Sequence, residues 1–147
     1  MSKIARLLLI VVFATAPFVT PARADGYGPP LGPLAFIITN GTLVSCYDMY
    51  AHVSSTGIGL KGMAYKVNNQ RVAQAVSGYA FISGDQVVWG FEAFPTAAAQ
   101  VAAKLGGFFL LNTLMGNGFG YHIIPSGMIP FSYLFRLGLG PCQDFVA

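Results

Sequence analysis

Charge is what this chain has least of. Eight basic and five acidic residues in 147 make 9% charged positions, far under the roughly 25% usual in soluble domains. Three of the bases, Lys3, Arg6 and Arg23, stand in the first 24 residues. Beyond them Lys61, Lys66, Arg71, Lys104 and Arg136 meet Asp25, Asp48, Asp85, Glu92 and Asp144, a balance of zero. A chain without a basic excess has no clustered face to neutralise phosphates. That argues against a nucleic-acid partner and against a polybasic membrane patch.

Catalytic signatures are equally scarce. There is no Gly-x-Ser-x-Gly elbow, His-Glu-x-x-His, Cys-x-x-Cys or P-loop, so neither a metal nor an organic cofactor is implied. Gly57-Ile58-Gly59-Leu60-Lys61-Gly62 matches G-x-G-x-x-G in form only. The residues after Gly62 are strand-like and the next acid is Asp85, whereas a dinucleotide site needs a helix there and an acid about 20 residues on. Past residue 24, Gly, Pro or Asn interrupts every apolar stretch within about a dozen residues, short of the roughly 20 a spanning helix needs. Membrane association, if any, is expected by another route.

What is present begins with Lys3 and Arg6, the apolar run Leu7 to Ala14, and Ala22-Arg23-Ala24. This is the pattern of a secretory signal peptide over residues 1–24, cut between Ala24 and Asp25. The expectation is an exported protein, periplasmic or extracellular. Two cysteines, Cys46 and Cys142, in an oxidising compartment predict one disulfide. Closing a loop of that length stabilises by up to about 4–5 kcal/mol in the chain-entropy account. Asn40-Gly41-Thr42 is also a glycosylation sequon, of use only in a glycosylating host.

Residues 25–33, Asp-Gly-Tyr-Gly-Pro-Pro-Leu-Gly-Pro, read as a Gly/Pro-rich arm, and residues 34–147 as one β-rich domain. Asn40-Gly41 between apolar runs is a strong hairpin signal. Asn68-Asn69 and Gly84-Asp85 repeat the logic. A two-residue turn at Gly84-Asp85 sets Ile82 opposite Val87, Ala80 opposite Trp89 and Gly78 opposite Phe91; the same arithmetic at Asn68-Asn69 sets Lys66 uncomfortably opposite Arg71. Thr96 can cap an Ala-rich helix over 97–105, with Gly106 at its end. Beyond it the glycines and prolines leave short strands near 108–113, 119–124 and 131–137. The fold class expected is a small antiparallel β-barrel or curled β-meander with one short helix, a β-sandwich being the alternative.

Alternation on residues 42–53 puts Leu43, Ser45, Tyr47, Met49, Ala51 and Val53 on the core face, with Val44, Cys46, Asp48, Tyr50 and His52 outward. Around Trp89, the apolar side carries Val87, Trp89, Phe91 and Ala93 while Glu92 points away. His52, His122, Asp48 and Glu92 are the candidates for a His-carboxylate pair or a metal site. Asp48 and His52, four residues apart on a strand, lie roughly 13 Å apart, too far to share an ion. Aromatic-rich barrels commonly enclose an apolar ligand, and Tyr47, Met49, Trp89 and Phe91 are the residues expected to line such an interior.

The leading expectation is an exported, non-catalytic β-rich binder of an apolar small molecule or an envelope protein. A structural or assembly component of the envelope is the first alternative. It includes an outer-membrane β-barrel, in which Asp48, His52 and Glu92 would line a polar lumen and the rings would face lipid. An enzyme built on the His-carboxylate candidates is the second.

Overall fold

A computed structural model of the protein describes residues 29–95 and 101–147. The expected signal segment and residues 25–28 of the Gly/Pro-rich arm lie outside the described residues, and Leu31, Gly32 and Pro33 of that arm belong to the first strand. Eight antiparallel strands follow one another: β1 Leu31–Asn40, β2 Leu43–Ser54, β3 Gly57–Lys66, β4 Gln74–Ser83, β5 Gln86–Pro95, β6 Ala103–Leu110, β7 Met115–Ile124 and β8 Gly127–Gly138. Each pairs with the next, and β8 returns to β1, closing a barrel. Closure pairs the two outer strands that an open meander would leave with free edges.

The turn chemistry explains most of the register. Asn68 and Asn69 both take positive φ and Val67 and Gln70 exchange both backbone hydrogen bonds, the type I′ arrangement. The feared Lys66–Arg71 pair is avoided because β3 ends at Lys66; the Arg71 guanidinium instead lies 5.3 Å over the Tyr65 ring. At Gly84-Asp85 the observed pairs are Ile82 with Val87, Ala80 with Trp89 and Gly78 with Phe91, as the sequence predicts. The first hairpin differs by one residue. Asn40 pairs with Leu43, so Gly41 and Thr42 form the turn, and only Gly41 takes positive φ, as a glycine-first type II′ turn requires.

The Ala-rich helix is corrected. Residues 96–100 lie outside the described residues, but Ala103, Lys104 and Leu105 belong to β6. Ala102 already donates to Ala93 and accepts from Ile123, so ladders on both sides override alanine's helical preference.

Eight strands leave an interior just wide enough for side chains to fill, and here rings fill it. Phe36, Trp89, Phe91 and Phe135 pack with centroids 4.8 to 6.3 Å apart. Glycine makes the room. Gly116, Gly118 and Gly120 of β7 lie directly opposite Phe135, Tyr133 and Phe131 of β8, and Gly107 and Gly78 lie opposite Trp89 and Phe91. A Cβ on Gly118 would collide with the Tyr133 ring. The glycines that look like loop punctuation are thus strand positions whose missing side chains are replaced by a neighbour's ring. Tyr133 reaches across Gly118 to donate its hydroxyl to the Gly106 carbonyl at 2.7 Å.

The two ends of the barrel differ. At the foot, where β6 turns into β7, Leu114 is fully buried at φ +59°, a conformation uncommon for a leucine. Its N–H donates to Leu110 and its carbonyl accepts from Leu137, so it stops the foot like a plug. The other end is bordered by the Gly41-Thr42, Asn68-Asn69 and Pro125-Ser126 turns and by the connection from β5 to β6, part of which lies outside the described residues; there the described residues leave a cavity.

After β8 the chain folds back along the outer wall. Cys142 bonds Cys46 across a sequence separation of 96, and its N–H donates to the Asp48 carboxylate at 2.7 Å. With Ala35, Ile37, Val44, Tyr65, Phe145 and Val146 the bridge forms a second apolar cluster outside the barrel.

Candidate ligand site at the barrel mouth

The cavity at this end has a volume of about 170 Å³. Below, it is lined by Ile38, Leu105, Phe131 and the buried Tyr47, and nearer the turns by Asn40, Leu43, Ser45, Val67, Asn68, Ala103 and His122. Strand alternation explains the arrangement. Inward positions near the mouth continue the core face, and beside the turns Asn40, Ser45, Asn68 and His122 bring polar groups among the apolar Leu43 and Val67. Ser45 accepts a hydrogen bond from the Asn68 N–H, and the Asn69 amide donates to the Thr42 carbonyl. These contacts tie the β3–β4 turn to the start of β2 and fix one side of the rim. On the other side the His122 ring stacks on Phe131, with centroids 4.4 Å apart and planes 16° from parallel.

Burial pushes the Tyr47 hydroxyl up to about 12, and burial first, then the nearby Tyr47, pushes Tyr133 higher still against the lowering effect of its bond to Gly106. Both phenols are held neutral in the ordinary pH range, as hydrogen-bonding groups rather than charges. A cavity that is apolar below and uncharged but polar above can hold a small molecule with one hydrogen-bonding end. Being below the roughly 300–1,000 Å³ of drug-sized pockets, it suits a compact molecule or the end of a longer one.

The candidate residues scatter. Asp48 faces outward and is engaged by Cys142. Glu92 faces outward beside Lys104, with Oε1 and Nζ 3.5 Å apart. His52 also faces outward, across from Gly59 on β3. His122 alone of the four points inward, so the barrel wall separates it from both carboxylates, and the four do not assemble into a His-carboxylate pair. Among the described residues no group of three or more His, Cys, Asp or Glu is placed to hold a metal.

Of the four side chains expected to line an interior, Tyr47 borders the cavity. Met49, Trp89 and Phe91 lie in the packed core beneath it. The Trp89 indole N–H has no hydrogen-bond partner among the described residues; rings surround it instead. The faces are those of a barrel with an apolar inside, the reverse of the polar-lumen arrangement. Ile38, Asn40, Leu43, Asn68, Leu105 and Phe131 escape a reading by chemistry because none is reactive. Their common signal is position: inward alternation within a few residues of a turn at one end.

Comparison with protein families, curated proteins and solved structures finds no match.

Proposed function

We propose that the protein is a small non-catalytic binding barrel that takes a compact apolar molecule, or the apolar end of a longer one, into its mouth. The cavity between Tyr47, Leu105 and Phe131 below and Asn40, Asn68 and His122 above is the observation that supports this reading. The apolar floor supplies affinity by removing surface from water, and the rim selects a polar end group. The disulfide is consistent with the export that the N-terminal residues predict.

The test is native mass spectrometry of the protein taken gently from its own compartment. The expected result is a reproducible small adduct that is lost in Leu43→Trp, whose indole occludes the rim while the fold is retained. A bare mass from native material, with the disulfide intact, overturns the reading.

A further inference from the structure

We infer that the tip of the β7–β8 hairpin docks into the surface of a lipid bilayer, turning the barrel mouth toward the membrane. The hairpin runs Ile123-Ile124-Pro125-Ser126-Gly127-Met128-Ile129-Pro130, and Ile124, Met128 and Ile129 are 39%, 62% and 51% exposed. They stand beyond the barrel core and fill no hole in it. The Gly41-Thr42 and Asn68-Asn69 turns at the same end are built of Gly, Thr and Asn, the residues a water-facing turn ordinarily uses. Among the described residues nothing covers the apolar tip beside them.

The occupant follows from how the apolar groups are arranged. Met128 pairs with Ile123 and shares the outward face, while Ile129 pairs with His122 and shares the inward one. The tip is therefore apolar on both sides, a wedge. A flat protein surface covers one side of a wedge, whereas fluid hydrocarbon surrounds both. Farther down the outer face stand Tyr121 and Phe119, rings 6.3 Å apart, at the depth where amphipathic aromatics favour the bilayer interface. No charged residue stands between Lys104 and Arg136, so insertion of the hairpin buries no ion. Lys66 and Arg71 end β3 and follow its turn at the same end, and Asp85 sits in a turn at the foot. That polarity favours anionic headgroups modestly.

The docking stands on the hairpin tip and not on the cavity's cargo, so the two readings fail separately. Purified protein is sedimented with vesicles of phosphatidylcholine alone and of phosphatidylcholine mixed with phosphatidylglycerol. The expected result is partition to both, stronger with the anionic lipid, falling about tenfold or more in Met128→Ser/Ile129→Ser. Tyr79→Ser, on the outer face of β4, is expected to bind as the parent does. Near-ultraviolet circular dichroism checks that the variants fold. Independently, in a Trp89→Phe background, Met128→Trp is expected to shift its emission to the blue on adding vesicles. Absence of vesicle binding, or equal binding by the double variant, overturns the inference. Self-association abolished by the double variant, without vesicle binding, assigns the tip to a second copy and overturns it too. A cargo adduct that persists without vesicle binding overturns the docking and leaves the cavity reading standing alone.

Discussion

Over β1 and β2 the barrel's outer wall is roofed by its own C-terminus; over β7 and β8 the described residues leave it bare. Both walls are apolar. On the first, Ala35, Ile37 and Cys46 are fully or almost fully buried because Cys142, Phe145 and Val146 lie on them. On the second, Phe119 and Leu134 are each 63% exposed, and a shallow open groove beside them is bordered by Thr39, Asn117 and Ser132. Among the described residues the chain covers an apolar wall on one side only. Monomeric proteins seldom leave such patches without a use, and the bilayer docking proposed above would give this side one.

The sharpest way to break this comparison is to unlatch the roof. Cys46→Ser/Cys142→Ser removes a long-loop cross-link and frees Phe145 from the pocket over Gly138. Guanidinium unfolding is expected to show a loss of about 3–5 kcal/mol. Phe119→Ser on the bare wall is expected to change stability by less than about 0.5 kcal/mol. Equal losses at both sites would mean that the second wall is not bare.

A second contrast runs through the wall, between core and surface. Tyr47 is buried, with its phenol raised from 10 to about 12. A folded-state value above the unfolded one means that the unfolded chain loses this proton first as pH rises. The contribution to stability is full below pH 10 and drains away between about 10 and 12. A decline of up to about 2–3 kcal/mol is expected there, and Tyr47→Phe should flatten its share of it in unfolding curves taken across that range. A Tyr47→Phe protein with the parent's alkaline decline would remove Tyr47 as the source.

Much of this was legible in residues whose local and global preferences agree. The alternation around Trp89 and the turn at Gly84-Asp85 fix the β4–β5 register without help, and an even cysteine count sufficed for the bridge. Legibility failed where a tertiary partner decides. Ala103 to Leu105 read as helix because alanine's propensity is visible in sequence and the ladders to β5 and β7 are not. Gly116 and Gly118 read as breakers because the rings that replace their side chains come from β8. The mouth cavity was hidden for the same reason: its walls come from strands on opposite sides of the barrel, and only closure brings Leu105 near Ile38.

Those glycines also give the finest test of inside against outside. Gly118 points inward, where an added Cβ meets the Tyr133 ring. Gly106, one strand away and facing out, has only ordinary contact, its nearest neighbour being the Trp89 carbonyl at 3.5 Å. Gly118→Ala must therefore push a core ring off its seat and break the hydroxyl bond to Gly106, at about 1–3 kcal/mol. Gly106→Ala only narrows the unfolded ensemble and is expected to be neutral or stabilising by about 0.5 kcal/mol. Thermal unfolding of the two single variants measures both. If Gly106→Ala destabilises as much as Gly118→Ala, the outward face between Tyr79 and Phe119 is packed rather than open. The bare wall would then have to be redrawn to begin at β7.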